Sequence, residues 1–257
     1  MIDTHCHLDV EAFAADRDEV LARAADAGVT GILVPAIRPR TWAALRELAA
    51  ARRGAGVRWA VGIHPQVVPE LDAGELAADP VRQLAEASAG AIAIGETGLD
   101  GGTGERELQE QLFRAHIRAA RELRLPLVIH ILRAHDAAPR ILREERAADA
   151  GGILHSYSGG PELVPIYRDL GMAFSFAGPV TYPNARRPLA SARAVPAELL
   201  LAETDAPDQA PAAHRGHRSE PAYVGEVIAG LAAARGQDLA TVLATTIANT
   251  LRVLSHW

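Results

Sequence analysis

The first residues that could do chemistry are His5 and His7, one residue apart in Asp3-Thr4-His5-Cys6-His7, with Asp9 just beyond. On a helix, positions i and i+2 diverge. On a strand they share a side, so two imidazoles converge on one ligand only if this stretch is extended. Cys6 then faces the opposite way and reads as a buried small residue in an apolar layer. Farther on, His64, Glu96, His130, His155 and Glu203 each close a short apolar run, and Asp205 lies two residues past the last. Taken singly, His64, His130 and His155 would pass for core histidines. Their shared placement after successive apolar runs is what points to a site.

Imidazole and carboxylate donors together suit Zn, Mn, Fe or Ni better than an all-oxygen Mg or Ca cage. Four histidines with two carboxylates exceed what one tetrahedral ion with an open position takes. They match two ions sharing a bridging oxygen ligand. A carbamylated lysine could form such a bridge, but all 26 basic residues are arginine. The bridge must then be a carboxylate, and Glu96 is the candidate. Glu203 shares a face with Asp205 at i+2, and two roles stay open for it: metal ligand, or a group orienting the site from one layer below. No Gly-x-Ser-x-Gly elbow and no catalytic Cys–His arrangement is present.

The elements that must position these residues follow from the periodicity. Apolar and β-branched runs at 2–7, 31–37, 58–64, 91–96, 126–130, 152–155, 172–177 and 199–205 predict strands. Helical spacing between them includes 17–27, 41–53, 105–123 and 136–148. Strands separated by helices pair in parallel through βαβ crossovers. Eight such units fit a TIM (β/α)8 barrel, an α/β fold whose active sites lie at the C-terminal strand ends. An open doubly wound sheet is the alternative, though no Gly-x-Gly-x-x-Gly follows the first strand. No linker divides the chain, so residues 1–257 are expected to form one barrel domain. The irregular stretches 65–80 and 205–221 read as lids or binding loops, and a helix over 239–254 is expected to cap the barrel, with meeting a partner as the alternative.

Composition bounds the rest. Of the 257 residues, 49% are apolar and 23% charged, which allows a substantial core. No apolar run reaches membrane-spanning length. The first residues lack the basic region and apolar core of a signal peptide. The single cysteine excludes an internal disulfide and fits a reducing compartment. Cytoplasmic placement, no membrane association and a monomer are the expectations. A net charge of −6 excludes a globally basic surface for nucleic acid.

Residues 3–9 (Asp-Thr-His-Cys-His-Leu-Asp), 62–65 (Gly-Ile-His-Pro), 94–100 (Ile-Gly-Glu-Thr-Gly-Leu-Asp), 127–130 (Leu-Val-Ile-His), 155–159 (His-Ser-Tyr-Ser-Gly) and 203–207 (Glu-Thr-Asp-Ala-Pro) stand in that order, with Gln111 to Phe113 on the intervening helix. In order and spacing, from residue 2 to about Leu254, they resemble the TatD family of metal-dependent deoxyribonucleases and related hydrolases. The resemblance implies a barrel with two divalent cations, with Zn, Mg or Mn as candidates. His5, His7 and Asp205 would hold one ion and His130 and His155 the other, with Glu96 bridging. Water activated between the ions would attack phosphorus in line, with Asp205 as general base. Glu203 matches a carboxylate of functional importance, and His64 a site-proximal histidine that contacts substrate or orients a ligand.

The chain departs from the family pattern around the substrate. Gly101, Gly102 and Thr103 follow Asp100 where an aromatic residue is common, which removes a stacking contact from that loop. Arg133 stands one residue later than the usual arginine, and Tyr157 is a polar aromatic that could stack or donate. The segment 180–183 followed by Asp208 resembles a less-characterised branch. Arg133, Arg186, Arg187, Arg215 and Arg218 follow strands on the active-site side, where one or two are expected to meet phosphate. The function expected is a 3′-to-5′ exonuclease on single-stranded or short DNA ends. The rivals are hydrolysis of a small amide, lactone or phosphoester on the same two-metal site, and a non-catalytic scaffold.

Overall fold

The computed structural model describes residues 1–51 and 55–257. Eight strands, β1 (Ile2–Asp3), β2 (Gly31–Pro35), β3 (Gly56–Val61), β4 (Ala93–Asp100), β5 (Leu127–Leu132), β6 (Gly152–Leu154), β7 (Met172–Phe176) and β8 (Leu200–Ala202), pair in parallel, each with the next. This sequential order rules out the doubly wound alternative, whose strand order reverses at a switch point. The seam between the last and first strands closes through the residues that follow them. Thr4 N–H donates to the Ala202 carbonyl (3.3 Å), Asp205 N–H to His5 (2.9 Å) and His7 N–H to Ala206 (2.8 Å). Cys6 and Ala206 form a parallel bridge within that seam. The expected strands 2–7 and 199–205 are therefore shorter ladders, but their pairing continues along the predicted stretch.

Inward-facing apolar residues fill the barrel: Leu33, Ala60, Ala93, Val128, Ile153, Ala173 and Leu201, one from each of β2 to β8, are buried in a single cluster. Because side chains alternate with a period of two, the next inward positions are His130 after Val128, His155 after Ile153 and Glu203 after Leu201. The residues between them, such as Ile129 and Leu154, pack outward against the helices. One interior layer of aliphatic groups thus supports one layer of polar groups.

Strand β4 departs from the expectation. It runs to Asp100 rather than ending at Glu96, and its register with β5 shifts between Ile94 and Thr97. Gly98, at φ +136°, sits where an added Cβ would lie 1.9 Å from the His130 carbonyl oxygen. Only glycine lets the two strands approach that closely.

The helices α1 (Arg17–Asp26), α2 (Trp42–Ala50), α3 (Pro80–Ala87), α4 (Arg106–Leu123), α5 (Ala138–Glu144), α6 (Val164–Asp169), α7 (Arg186–Ala194), α8 (Val224–Arg235) and α9 (Leu239–Val253) surround the sheet. The helix expected over 41–53 is α2; residues 52–54 lie outside the described residues. The stretch 136–148 forms α5 and a separate 3-10 turn. Helix α4 buries Leu112, Phe113, His116, Ile117 and Ala120 at spacings of three and four, an amphipathic face against the sheet. After α9, Leu254 is buried in the barrel interior cluster, against which Trp257 also packs. A Cβ at Gly31 would come within 2.1 Å of the Trp257 ring, so the end of the chain closes the N-terminal end of the barrel, as expected. No single helix among the described residues is long and apolar enough to cross a membrane.

Candidate metal centre

At the opposite end, the residues following the strands converge. Extended backbone through residues 4–7, held by the seam hydrogen bonds, turns His5 and His7 to the same side with their Nε2 atoms 3.2 Å apart. Glu96 reaches between two sets of imidazoles. Its Oε2 lies 3.0 Å from His5 Nε2 and 3.4 Å from His7 Nε2. Its Oε1 lies 3.1 Å from His130 Nδ1 and 2.9 Å from His155 Nε2. Those last two nitrogens are 3.0 Å apart. Asp205 Oδ1 completes the first set, 3.6 and 3.8 Å from His5 and His7 Nε2. The His5 and His155 rings stack at 3.9 Å, which locks the two sets together.

The spacings among Glu96, His5, His7, His130 and His155 are those of co-ligands, and Asp205 stands a few tenths of an ångström farther off. Two donors each about 2.0–2.1 Å from one ion lie roughly 2.9–3.4 Å apart in tetrahedral or octahedral geometry. Glu96 Oε2 is buried without a hydrogen-bond partner, although two imidazole nitrogens are close by. A buried carboxylate oxygen left unpaired in this way is costly, and a cation between it and those nitrogens removes the cost. The donors present therefore fit divalent metal.

Further carboxylates stand behind the imidazoles of the centre. Asp100 Oδ2 lies 3.4 Å from His130 Nε2, and Glu203 Oε1 lies 3.4 Å from His155 Nδ1. These are the carboxylate–imidazole pairs that fix tautomer and ring orientation at metal sites. Gln66 donates to Asp100 Oδ2 (2.7 Å), and Ser156 N–H donates to Glu203 Oε1 (2.6 Å). His64 Nδ1 accepts the Gln66 N–H at 3.1 Å. Its Nε2 therefore carries the proton and donates to Glu96 Oε1 at 2.8 Å. Buried His116 holds this loop from α4: its Nε2 accepts the Ile63 N–H (2.9 Å) and its Nδ1–H donates to the Leu112 carbonyl (2.7 Å).

Charge follows from this packing. Burial alone would raise the Glu96 carboxyl, but His155, His64 and His5 outweigh it and hold the group well below the carboxylate range. Burial opposes a charged His155, yet Glu96 and Glu203 push it well above the imidazole range. Burial lowers His7 to about 3 and raises Asp205 to about 6. Ligands must be deprotonated to bind metal, so ion uptake here displaces protons.

Every residue expected to ligate lies in this cluster, including Cys6's neighbours on either side; Cys6 itself is buried in the outer apolar layer. Three expectations about substrate contact are corrected or narrowed. His64 is buried with both nitrogens engaged, so it orients Glu96 instead of reaching outward. Tyr157 is buried against Phe174 and Phe176, and its hydroxyl donates to the Gly160 carbonyl at 2.9 Å, so it offers no free donor. Arg218 is committed to Asp16 and Glu220 at 2.7 and 2.8 Å. Arg133, Arg186, Arg187 and Arg215 are exposed after β5, β7 and β8, and none pairs with a described carboxylate. Sequence reasoning missed the roles of Asp100 and His116. The Gly-Leu-Asp stretch gave a signal for the first, and nothing local marked the second.

The family described as TatD related DNase matches residues 2–255. The chain is 36% identical over 258 residues to the uncharacterised metal-dependent hydrolase YcfH of Escherichia coli strain K12, covering 98% of this chain and 95% of that one. It is 34% identical over 264 residues to the 3′-5′ ssDNA/RNA exonuclease TatD of Shigella flexneri, covering 97% and 96%. The crystal structure of YjjV, a TatD homologue from Escherichia coli K12, superposes with a TM-score of 0.89 at 30% identity, covering 98% of this chain and 97% of that one.

Proposed function

The chain belongs to the TatD family of metal-dependent hydrolases, and on that premise we propose that it is a 3′-to-5′ exonuclease on single-stranded DNA ends, working with two divalent ions. The observation that carries this reading is the division of Glu96, whose two oxygens face different imidazole sets. His5, His7 and Asp205 would hold one ion and His130 and His155 the other, with Glu96 between them and Zn, Mg or Mn as candidates. Ions bound there would act as Lewis acids toward a phosphoryl oxygen and acidify a water.

The chain's own residues do the remaining work. Asp205 would take the proton of the attacking water. Its side chain is 12% exposed, so the proton can leave to solvent. Glu203 and Asp100 hold His155 and His130 in orientation. Arg133, Arg186 and Arg187 are exposed in the segments after β5 and β7, and Arg215, its guanidinium 5.2 Å over the Tyr182 ring, in the segment after β8; all would suit bidentate contact with backbone phosphates. With a net charge of −6 and only these local cations, a short or single-stranded end suits the site better than a long duplex.

The test is incubation of the metal-loaded protein with 3′- and 5′-end-labelled single-stranded DNA. Stepwise shortening from the 3′ end, abolished in Asp205→Asn, is expected. Intact DNA beside turnover of a chromogenic phosphoester would replace this reading with a small-molecule hydrolase. The loop after β4, with glycines where a base-stacking ring would stand, favours that second reading.

A further inference from the structure

Asp205 sits on a backbone with φ +52°, partly open to the mouth, where nothing in its own turn fixes the carboxylate rotation. Four residues on, Gln209, also at positive φ (+50°), folds its side chain back toward it. The Gln209 amide donates to Asp205 Oδ2 and stands 2.7 Å from Ser156 Oγ, while Gln209 Oε1 lies 2.9 Å from the same hydroxyl. One amide hydrogen is thus spent on each partner, and the serine hydroxyl can donate in return. Ser156 is in turn pinned by its N–H to Glu203 Oε1. A continuous chain, Glu203–Ser156–Gln209–Asp205, links the ends of β6 and β8.

We propose that Gln209 is a positioning residue: by holding Oδ2 it leaves Oδ1 facing His5 and His7, so that Asp205 presents one fixed oxygen to the first ion. The inference rests on the reading of Asp205 as a ligand. Simple space-filling does not account for the contacts. A cavity of about 110 Å³, bordered by Phe176, Pro179 and Pro188, adjoins Gln209, so a leucine of similar size fits without crowding.

The experiment titrates metal-free protein with Mn²⁺ by calorimetry and records its thermal melt. Gln209→Leu is expected to weaken Mn²⁺ binding about 10-fold while the metal-free melting temperature stays put. Ser156→Ala should weaken it less, and the double variant should lose no more than Gln209→Leu alone, because both act through one contact. Unchanged affinity in Gln209→Leu, or full additivity with Ser156→Ala, would overturn the proposal. If Gln209→Leu does not fold, Gln209→Asn, too short to reach Oδ2, gives the same readout. Asp205→Asn separates the two levels: if it leaves Mn²⁺ affinity intact, the ligand reading fails. If it weakens binding and Gln209→Leu does not, only the positioning role fails.

Discussion

The two ends of the barrel are built on opposite principles. At the N-terminal end, Leu254 is fully buried among Leu33, Ala60, Ala93 and Val128, with Trp257 laid over Gly31. At the C-terminal end, His5, Glu96 and Glu203 are equally buried, but as polar groups within a few ångströms of one another. Among the described residues, buried side-chain polar atoms without a hydrogen-bond partner include His5 Nδ1, His7 Nδ1, Glu96 Oε2, His130 Nε2, His155 Nδ1 and Glu203 Oε2, all at that end. Native proteins rarely leave such groups unpaired. The strands are the same at both ends, so stability comes from the floor and the outer layer, while the mouth packs polar groups closely, among which Glu96 Oε2 faces the His5 and His7 Nε2 atoms without a hydrogen-bond partner.

The comparison is sharpest where one end changes and the other does not. Glu96→Gln keeps the shape and the His64 contact but removes the shared charge. Activity should fall by at least about 10³-fold, and metal analysis should find fewer ions per chain. Glu203→Gln should lose less, roughly 10–100-fold, because it acts through His155. Equal losses would mean that Glu96 does not bridge. Leu254→Ala is the mirror experiment. It should cost about 2–5 kcal/mol in denaturant unfolding and leave Mn²⁺ affinity unchanged. A drop in affinity at constant fold would show that the two ends are coupled.

Much of this contrast is legible in the sequence because a period of two links the layers. Val128 to His130 and Ile153 to His155 can be read as one face without coordinates. The absence of lysine singles out Glu96 as the bridging candidate. What escapes is irregular. The register shift in β4 carries the strand on to Asp100, and no alternation pattern marks where a strand gains a residue. His116 lies on α4 among ordinary amphipathic spacing, and only packing brings its ring to Ile63. Tyr157 and Arg218 read as open to substrate because a one-dimensional pattern does not show the partners that occupy them. Gln209 returns to Asp205 through a turn whose side-chain direction no propensity specifies.

The mildest effect distinguishing the ends is their response to pH. Asp3, buried beside the seam, accepts from His5 N–H, Thr204 N–H and the Thr204 hydroxyl. Burial nevertheless pushes its carboxyl up to about 8. The folded chain therefore keeps a proton that the unfolded chain has released, and stability falls as pH rises toward 8. Below about pH 6.5 other groups titrate as well. His7 and His116, lowered by burial to about 3 and 4, take up protons on unfolding and oppose the decline, while Asp9 and Asp205, both raised to about 6, add to it. From pH 6.5 to 8 those histidines are neutral in both states, whereas His155, raised well above its ordinary value, adds to the decline. Thermal melts of metal-free protein should thus show stability decreasing across pH 6.5–8, with Asp3 contributing at most about 1.4 kcal/mol per pH unit. Asp3→Asn, which copies the neutral acid in shape, should flatten the slope. Leu254→Ala should shift the whole curve down in parallel, since the floor exchanges no protons. An Asp3→Asn variant with the parent slope would mean that Asp3 is ionised in the fold and that the proton-linked strain lies elsewhere at the mouth.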